Sequence, residues 1–149
     1  MDVSRSQLIT LAITAVTAAG SAQAGPSVSV TFKNFGAADA LYKPVTKNEL
    51  STQLNAKSKP HASVKSGGVD SYTVQSNISP DANYASLRYT IGGKTCIFHT
   101  TFVAAPGALG SKVPKWKNTA TPSGGATCTA KTTARNATTY DWSVEYTMK

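Results

Sequence analysis

Acid–base or nucleophilic chemistry needs a histidine, paired carboxylates or an activated hydroxyl or thiol held together, and this sequence has few such groups. Its two histidines are His61 and His99. His61 follows Pro60 in a polar, lysine-rich stretch and reads as solvated. His99 alternates with Phe98 and Thr100 and points away from the face that carries Cys96 and Phe98. The acidic residues are Asp2, Asp39, Glu49, Asp70, Asp81, Asp141 and Glu145. Asp141 and Glu145 share one strand face and come nearest to the carboxylate pair of a glycosidase. The plainer reading is two solvated charges facing lysines on a neighbouring strand. A hydrolase would need His99, Asp141 and Glu145 to meet in one cleft. The sequence has no G-x-S-x-G elbow, no H-E-x-x-H, no cysteine cluster and no Asp-rich calcium loop. The double glycines at 67–68, 92–93 and 124–125 suit turns better than a phosphate loop. No catalytic residue, metal or cofactor is expected.

Recognition is the better-supported chemistry. The chain carries 15 Lys+Arg against 7 Asp+Glu, a net charge of +8. Most of the basic residues are lysine, which attracts anionic surfaces without the bidentate phosphate grip of arginine. The segment from Val103 to Gly125 reads as a long connection, and connections beyond about 12–15 residues are often functional. Within it Lys112, Lys115 and Lys117 surround Trp116, with Pro114 bracing the chain. A tryptophan among lysines suits a membrane interface, a sugar-stacking platform or a protein hot spot. Alternatively, Trp116 folds back as a plug and the lysines only solvate the loop. A second basic stretch, Lys43 to Lys65, holds five lysines, with Glu49 its one acid. Whether it joins the tryptophan segment in one face depends on the fold.

The N-terminus sets the compartment. Arg5 precedes the apolar run Leu8–Ala19, and Ala22-Gln23-Ala24 is an A-x-A cleavage signal, the layout of a secretory signal peptide over residues 1–24. The run is shorter than the ~20 residues a bilayer core demands, so the mature chain, residues 25–149, is expected as one domain without a transmembrane segment. An exported chain favours a disulfide between its two cysteines, Cys96 and Cys128. Periplasm or extracellular space is the expected location. An envelope glycan, anionic lipid or acidic protein is then a fitting partner, and nucleic acid is not. Binding to such a partner leads; a membrane-active toxin and a periplasmic inhibitor or immunity protein are the alternatives. Two N-glycosylation sequons, at Asn77 and Asn136, matter only in a eukaryotic pathway, and the brief Ala-rich leader looks bacterial.

The elements that must position these groups are strands. Apolar and polar residues alternate over Val28–Phe32, Val69–Gln75, Tyr84–Ile91, Lys94–Phe102, Ala126–Ala134 and Tyr140–Met148. The last run puts Tyr140, Trp142, Val144, Tyr146 and Met148 on one face and reads as a central strand. The Thr-rich run before it reads as an edge strand, and Ala40–Tyr42 as a partner for the first. Gly92-Gly93 reads as a hairpin turn. Thr46-Lys47-Asn48-Glu49 is a capping box opening a helix over about 47–54, with Val45 and Leu50 as a hydrophobic staple. These elements predict an all-β fold: an antiparallel β-sandwich of seven or eight strands with one short helix and one disulfide, or else a small closed β-barrel. Polar edge strands leave pairing with another chain open. V-x-V-x-F-x-N-x-G (Val28–Gly36) and R-Y-x-I-G-G (Arg88–Gly93) resemble segments of small secreted β-sandwiches, some lipid-binding toxins among them. Many unrelated sandwiches share that pattern, and a shared fold does not settle function.

Overall fold

Alternation along each strand sends one set of side chains inward, and two sheets close over them. The computed structural model describes residues 23–149, so the signal-peptide reading falls almost wholly outside the described residues. The strands are β1 (Val28–Asn34), β2 (Ala40–Tyr42), β3 (Ser63–Val64), β4 (Val69–Val74), β5 (Ala82–Ile91), β6 (Lys94–Pro106), β7 (Lys112–Ser123), β8 (Cys128–Arg135) and β9 (Trp142–Met148). One helix, α1 (Lys47–Asn55), lies between β2 and β3. One sheet has the order β4-β1-β9-β8 and the other β3-β2-β5-β6-β7. The sheets do not close into a barrel, and the fold is a sandwich.

β9 is central and β8 is an edge, as their residue patterns predict. Two strand pairings differ from expectation. β1 runs antiparallel to β4 but parallel to β9, Val30 opposite Val144 and Phe32 opposite Tyr146, so the smaller sheet is mixed. β2 does not answer β1; it pairs with β3 and β5 in the other sheet.

Val28, Val30 and Phe32 of β1 and Trp142, Val144, Tyr146 and Met148 of β9 meet Leu87 and Tyr89 of β5 and Phe98 and Phe102 of β6. Phe32 stacks on Tyr89 with ring centroids 3.6 Å apart, and Phe98 on Tyr146 at 4.5 Å. Each such side chain removed from water contributes about 1.5–3 kcal/mol. Buried polar groups find partners across the layers: Trp142 Nε1 donates to Thr100 Oγ1 at 2.9 Å, and the Tyr72 and Tyr89 hydroxyls lie 3.1 Å apart.

The turns obey local chemistry. β5 and β6 join through Gly92-Gly93, with Ile91 opposite Lys94 and Gly92 at φ 56°. Gly124, at φ 63°, passes so close to the Gly93 carbonyl that a Cβ would sit 2.1 Å from its oxygen. The Cys96–Cys128 disulfide ties β6 to β8, bridging the two sheets with a Cα–Cα distance of 5.8 Å. In the chain-entropy picture, closing a loop of this sequence separation, 32 residues, contributes about 3–4 kcal/mol.

Candidate functional site

The segment from Val103 to Gly125 is not a loop. β6 continues to Pro106 and β7 runs from Lys112 to Ser123, paired in register from Thr95↔Ser123 to Pro106↔Lys112. Pro114 and Pro122 are tolerated in a strand here because β7 is an edge. Pro114 and Pro122 share one parity along β7, so both missing N–H groups fall on the same side of the strand.

Strand parity also separates the four predicted contact residues. Trp116 turns inward opposite Phe102, with ring centroids 5.4 Å apart, and is half-buried against the core. Tyr140 stands edge-on to it at 6.5 Å, and the Arg135 guanidinium lies 5.5 Å from the ring centroid on the solvent side. Lys115 and Lys117 project from the opposite face of the strand and are exposed. Lys112 Nζ pairs with Asp81 Oδ1 at 2.5 Å. Lys115 and Lys117 therefore share a surface, while Trp116 lies on the other side of the sheet from them.

His99 stands beside the lysine face, opposite Thr119 on β7 and 6.3 Å from the Tyr84 ring. Partial burial, and then the Lys117 charge, hold its pKa below the usual histidine value. Asp141 and Glu145 belong to the other sheet. Glu145 pairs with Lys33 at 2.7 Å, the neighbouring-strand lysine that its spacing implied. Asp141 accepts hydrogen bonds from Ser27 N at 2.6 Å, Ser27 Oγ at 2.9 Å and Thr139 Oγ1 at 2.7 Å. Burial would raise its pKa, but these bonds and the Lys57 charge outweigh burial and lower it. His99, Asp141 and Glu145 thus lie on two different sheets and form no cleft together.

His61 is exposed, as its setting predicted, but it is not free. Its Nδ1 lies 2.5 Å from Asp70 Oδ1, and its backbone N–H donates to Asp70 Oδ2 at 2.8 Å. Asp70 is buried, so His61 serves as the lid of an interior carboxylate. A carboxylate orienting an imidazole supplies two of the three members of a catalytic triad. Among the described residues no hydroxyl or thiol hydrogen-bonds the other ring nitrogen, and no group of three His, Cys, Asp or Glu residues is placed to hold a metal ion.

The electrostatic pattern is more telling. Among the described residues Asp39, Glu49, Asp70, Asp81 and Glu145 each contact a basic side chain, and Asp141 is held by hydroxyl and amide donors. Lys59 donates to the Gln53 carbonyl at 2.6 Å, closing the C-terminal end of α1. Lys43, Lys47, Lys57, Lys94, Lys115, Lys117, Lys131 and Lys149 form no ion pair within the described residues. The two basic stretches lie on opposite edges of the larger sheet, Lys43–Lys65 with β2 and β3 and the other on β7, so they do not merge into one face. A cavity of about 530 Å³ at the end of the sandwich near the Gly92-Gly93 turn combines Phe35 and Ile91 with Lys94 and Lys149.

Two exposed apolar residues, Leu109 and Ile78, were not among the sequence-based candidates. Their signal in the sequence is a lone branched side chain within turn-forming residues, P-G-A-L-G and S-N-I-S-P. Asn136 Oδ1 caps the turn at Thr138 and Thr139, accepting at 2.8 and 3.0 Å, a structural role for that sequon residue. No helix among the described residues is long and apolar enough to cross a membrane. The chain matches no family model, no curated protein and no solved structure.

Proposed function

We propose that this is an exported, non-catalytic binding protein that recognises an acidic partner or surface through lysines its own carboxylates do not neutralise. The observation that carries the reading is the commitment of every Asp and Glu side chain among the described residues, which leaves the excess positive charge facing solvent. Lys115 and Lys117, side by side on the outward face of β7 with His99 behind them, form the part of that surface closest to the predicted site. The leader-like N-terminus and the disulfide favour an extracytoplasmic setting.

The test is co-sedimentation of residues 25–149 with isolated cell envelopes and retention on poly-L-glutamate resin, at low and high salt. Binding to both that falls steeply with salt is expected, weakened several-fold by Lys115→Gln with Lys117→Gln. Binding indifferent to salt and to those substitutions, or no binding at all, would remove the proposal.

A further inference from the structure

The β6–β7 hairpin runs past the rest of its sheet. β5 begins at Ala82, opposite Val103, whereas β6 and β7 continue to the pair Pro106–Lys112. At the tip stands Leu109, wholly exposed and at φ 54°. That left-handed region is costly for a branched side chain and natural for glycine. Gly107 and Gly110 flank the position, yet leucine occupies it. The fold makes no use of its side chain, and strain kept at an exposed residue points to function.

Ile78 is exposed at the same end, at 88% of its surface. Its loop is fastened to the hairpin by Ala104 N–H to Asp81 O at 2.8 Å and by the Lys112–Asp81 pair. Between Ile78 and Val103 lies an apolar recess of about 230 Å³, with Tyr84 and Phe102 in its wall. Behind this apolar apex Lys112, Lys115 and Lys117 follow along β7. The acids at this end are not free: Asp81 is paired with Lys112, and Asp141 is tied to Ser27 and Thr139.

We infer that this end of the sandwich docks into an anionic lipid surface, with Leu109 and Ile78 entering the acyl boundary and Lys115 and Lys117 meeting headgroup phosphates. This rests on the acidic-partner reading above and names the partner. Shape and order along the hairpin favour lipid over an acidic protein. A projecting leucine needs a matching pocket on a protein, whereas a fluid interface accepts any convex apex. The sequence of layers, apolar tip first and cations behind it, also follows the order of acyl chain and phosphate met on leaving a bilayer. Lysine stems can lie along the apolar boundary while their ammonium groups stay at headgroup depth. Trp116, the residue that sequence favoured for this role, faces the core and takes no part.

The test is flotation of residues 25–149 with phosphatidylglycerol-rich and with pure phosphatidylcholine vesicles, alongside retention on poly-L-glutamate. The expected result is binding to the anionic vesicles only. Leu109→Gly with Ile78→Ser should weaken it at least about tenfold and leave poly-L-glutamate retention intact. Leu109→Gly alone should match or exceed the wild-type melting temperature, because glycine prefers that φ. It keeps the test decisive should the double variant melt lower. Unchanged vesicle binding by Leu109→Gly and the double variant, or wild-type retention on poly-L-glutamate without vesicle binding, overturns lipid docking and leaves the acidic-partner reading standing. Wild-type binding to neither probe overturns both.

Discussion

The two open sides of this sandwich are closed in opposite ways. On the β7–β8 side the closure is apolar and covalent. Trp116 turns in against Phe102 and Tyr140, the disulfide joins β6 to β8, and the lysines face out. On the β4–β5 side the closure is polar. α1 buries Glu49 and Thr52, while Val45, Leu50 and Leu54 are exposed, so the helix meets the sheets through polar side chains. The reason is the edge that α1 must satisfy. β2 covers β5 only at Thr90 and Tyr89, so on the side away from β6 its earlier backbone groups have no strand partner. Thr52 Oγ1 accepts from Ser86 N at 2.9 Å, and Glu49 holds Arg88, with Arg88 Nη2 at 3.0 Å. Past the helix, Ala56 bridges Val74 of the other sheet, and Gln75 N donates to Asn55 O at 3.1 Å. A helix placed beside an unpaired edge is selected for the hydrogen bonds it can offer, and its apolar residues are left to solvent.

The largest expected effect breaks the polar side. Glu49 is almost wholly buried and accepts from Val45 N at 2.6 Å, Thr46 N at 3.0 Å and Arg88. Glu49→Ala leaves Arg88 and two amides without partners and should cost about 3–5 kcal/mol in chemical denaturation. Loss under about 1 kcal/mol would mean that the helix does not hold this side. The same residue predicts a pH dependence. Burial by itself would raise its pKa, but the Arg88 and backbone hydrogen bonds, with the Arg88 charge, prevail and lower it. With an unfolded value of about 4.3, Glu49 binds fewer protons in the native state than in the unfolded one. Its contribution is therefore complete above that pH and is lost as pH falls through the lower native value. Glu49→Gln should flatten this part of the stability–pH curve.

The next effect tests the apolar side. Trp116→Ala removes a half-buried indole packed on Phe102 and should cost about 2–3 kcal/mol, less than a fully buried tryptophan. It should leave Lys115 and Lys117 in place and reduce binding to acidic surfaces little. An unchanged melting temperature with weakened binding would reverse that assignment and restore Trp116 as a contact residue.

What sequence revealed follows the same division. Where a strand buries one face only, alternation names the inward residues: Trp142, Val144, Tyr146 and Met148 were legible in this way, as were the edge character of β8 and the Thr46–Glu49 capping box. Pairing was not legible. Nothing in Val28–Asn34 marks β9 as a parallel neighbour, because a parallel and an antiparallel partner ask for the same inward residues. β7 was missed because Val103–Gly125, with Pro114 in it, read as one long connection, and a strand carrying Pro114 and Pro122 is tolerated only at an edge. The candidate contact residues were found as a cluster in sequence but divided in space, since period-2 geometry sends neighbours to opposite faces.

The smallest effects sharpen the comparison best, because they set two residues of one helix turn against each other. Residue type alone favours burial of Leu54 over Thr52, whereas the structure exposes Leu54 at 76% and buries Thr52 at 1%. Thr52→Val keeps the shape but removes the acceptor for Ser86 N–H, so a buried amide loses its partner at a cost of about 1–2 kcal/mol. Its hydroxyl also donates to Asn48 O at 2.9 Å, a bond within the helix that adds little to that cost. Leu54→Ser changes an exposed side chain and should stay within about 0.5 kcal/mol. Amide exchange at Ser86 should rise in Thr52→Val and not in Leu54→Ser. If the leucine proved the more costly of the two, α1 would be packing by its apolar face after all, and the β4–β5 side would be closed in the same manner as the β7–β8 side.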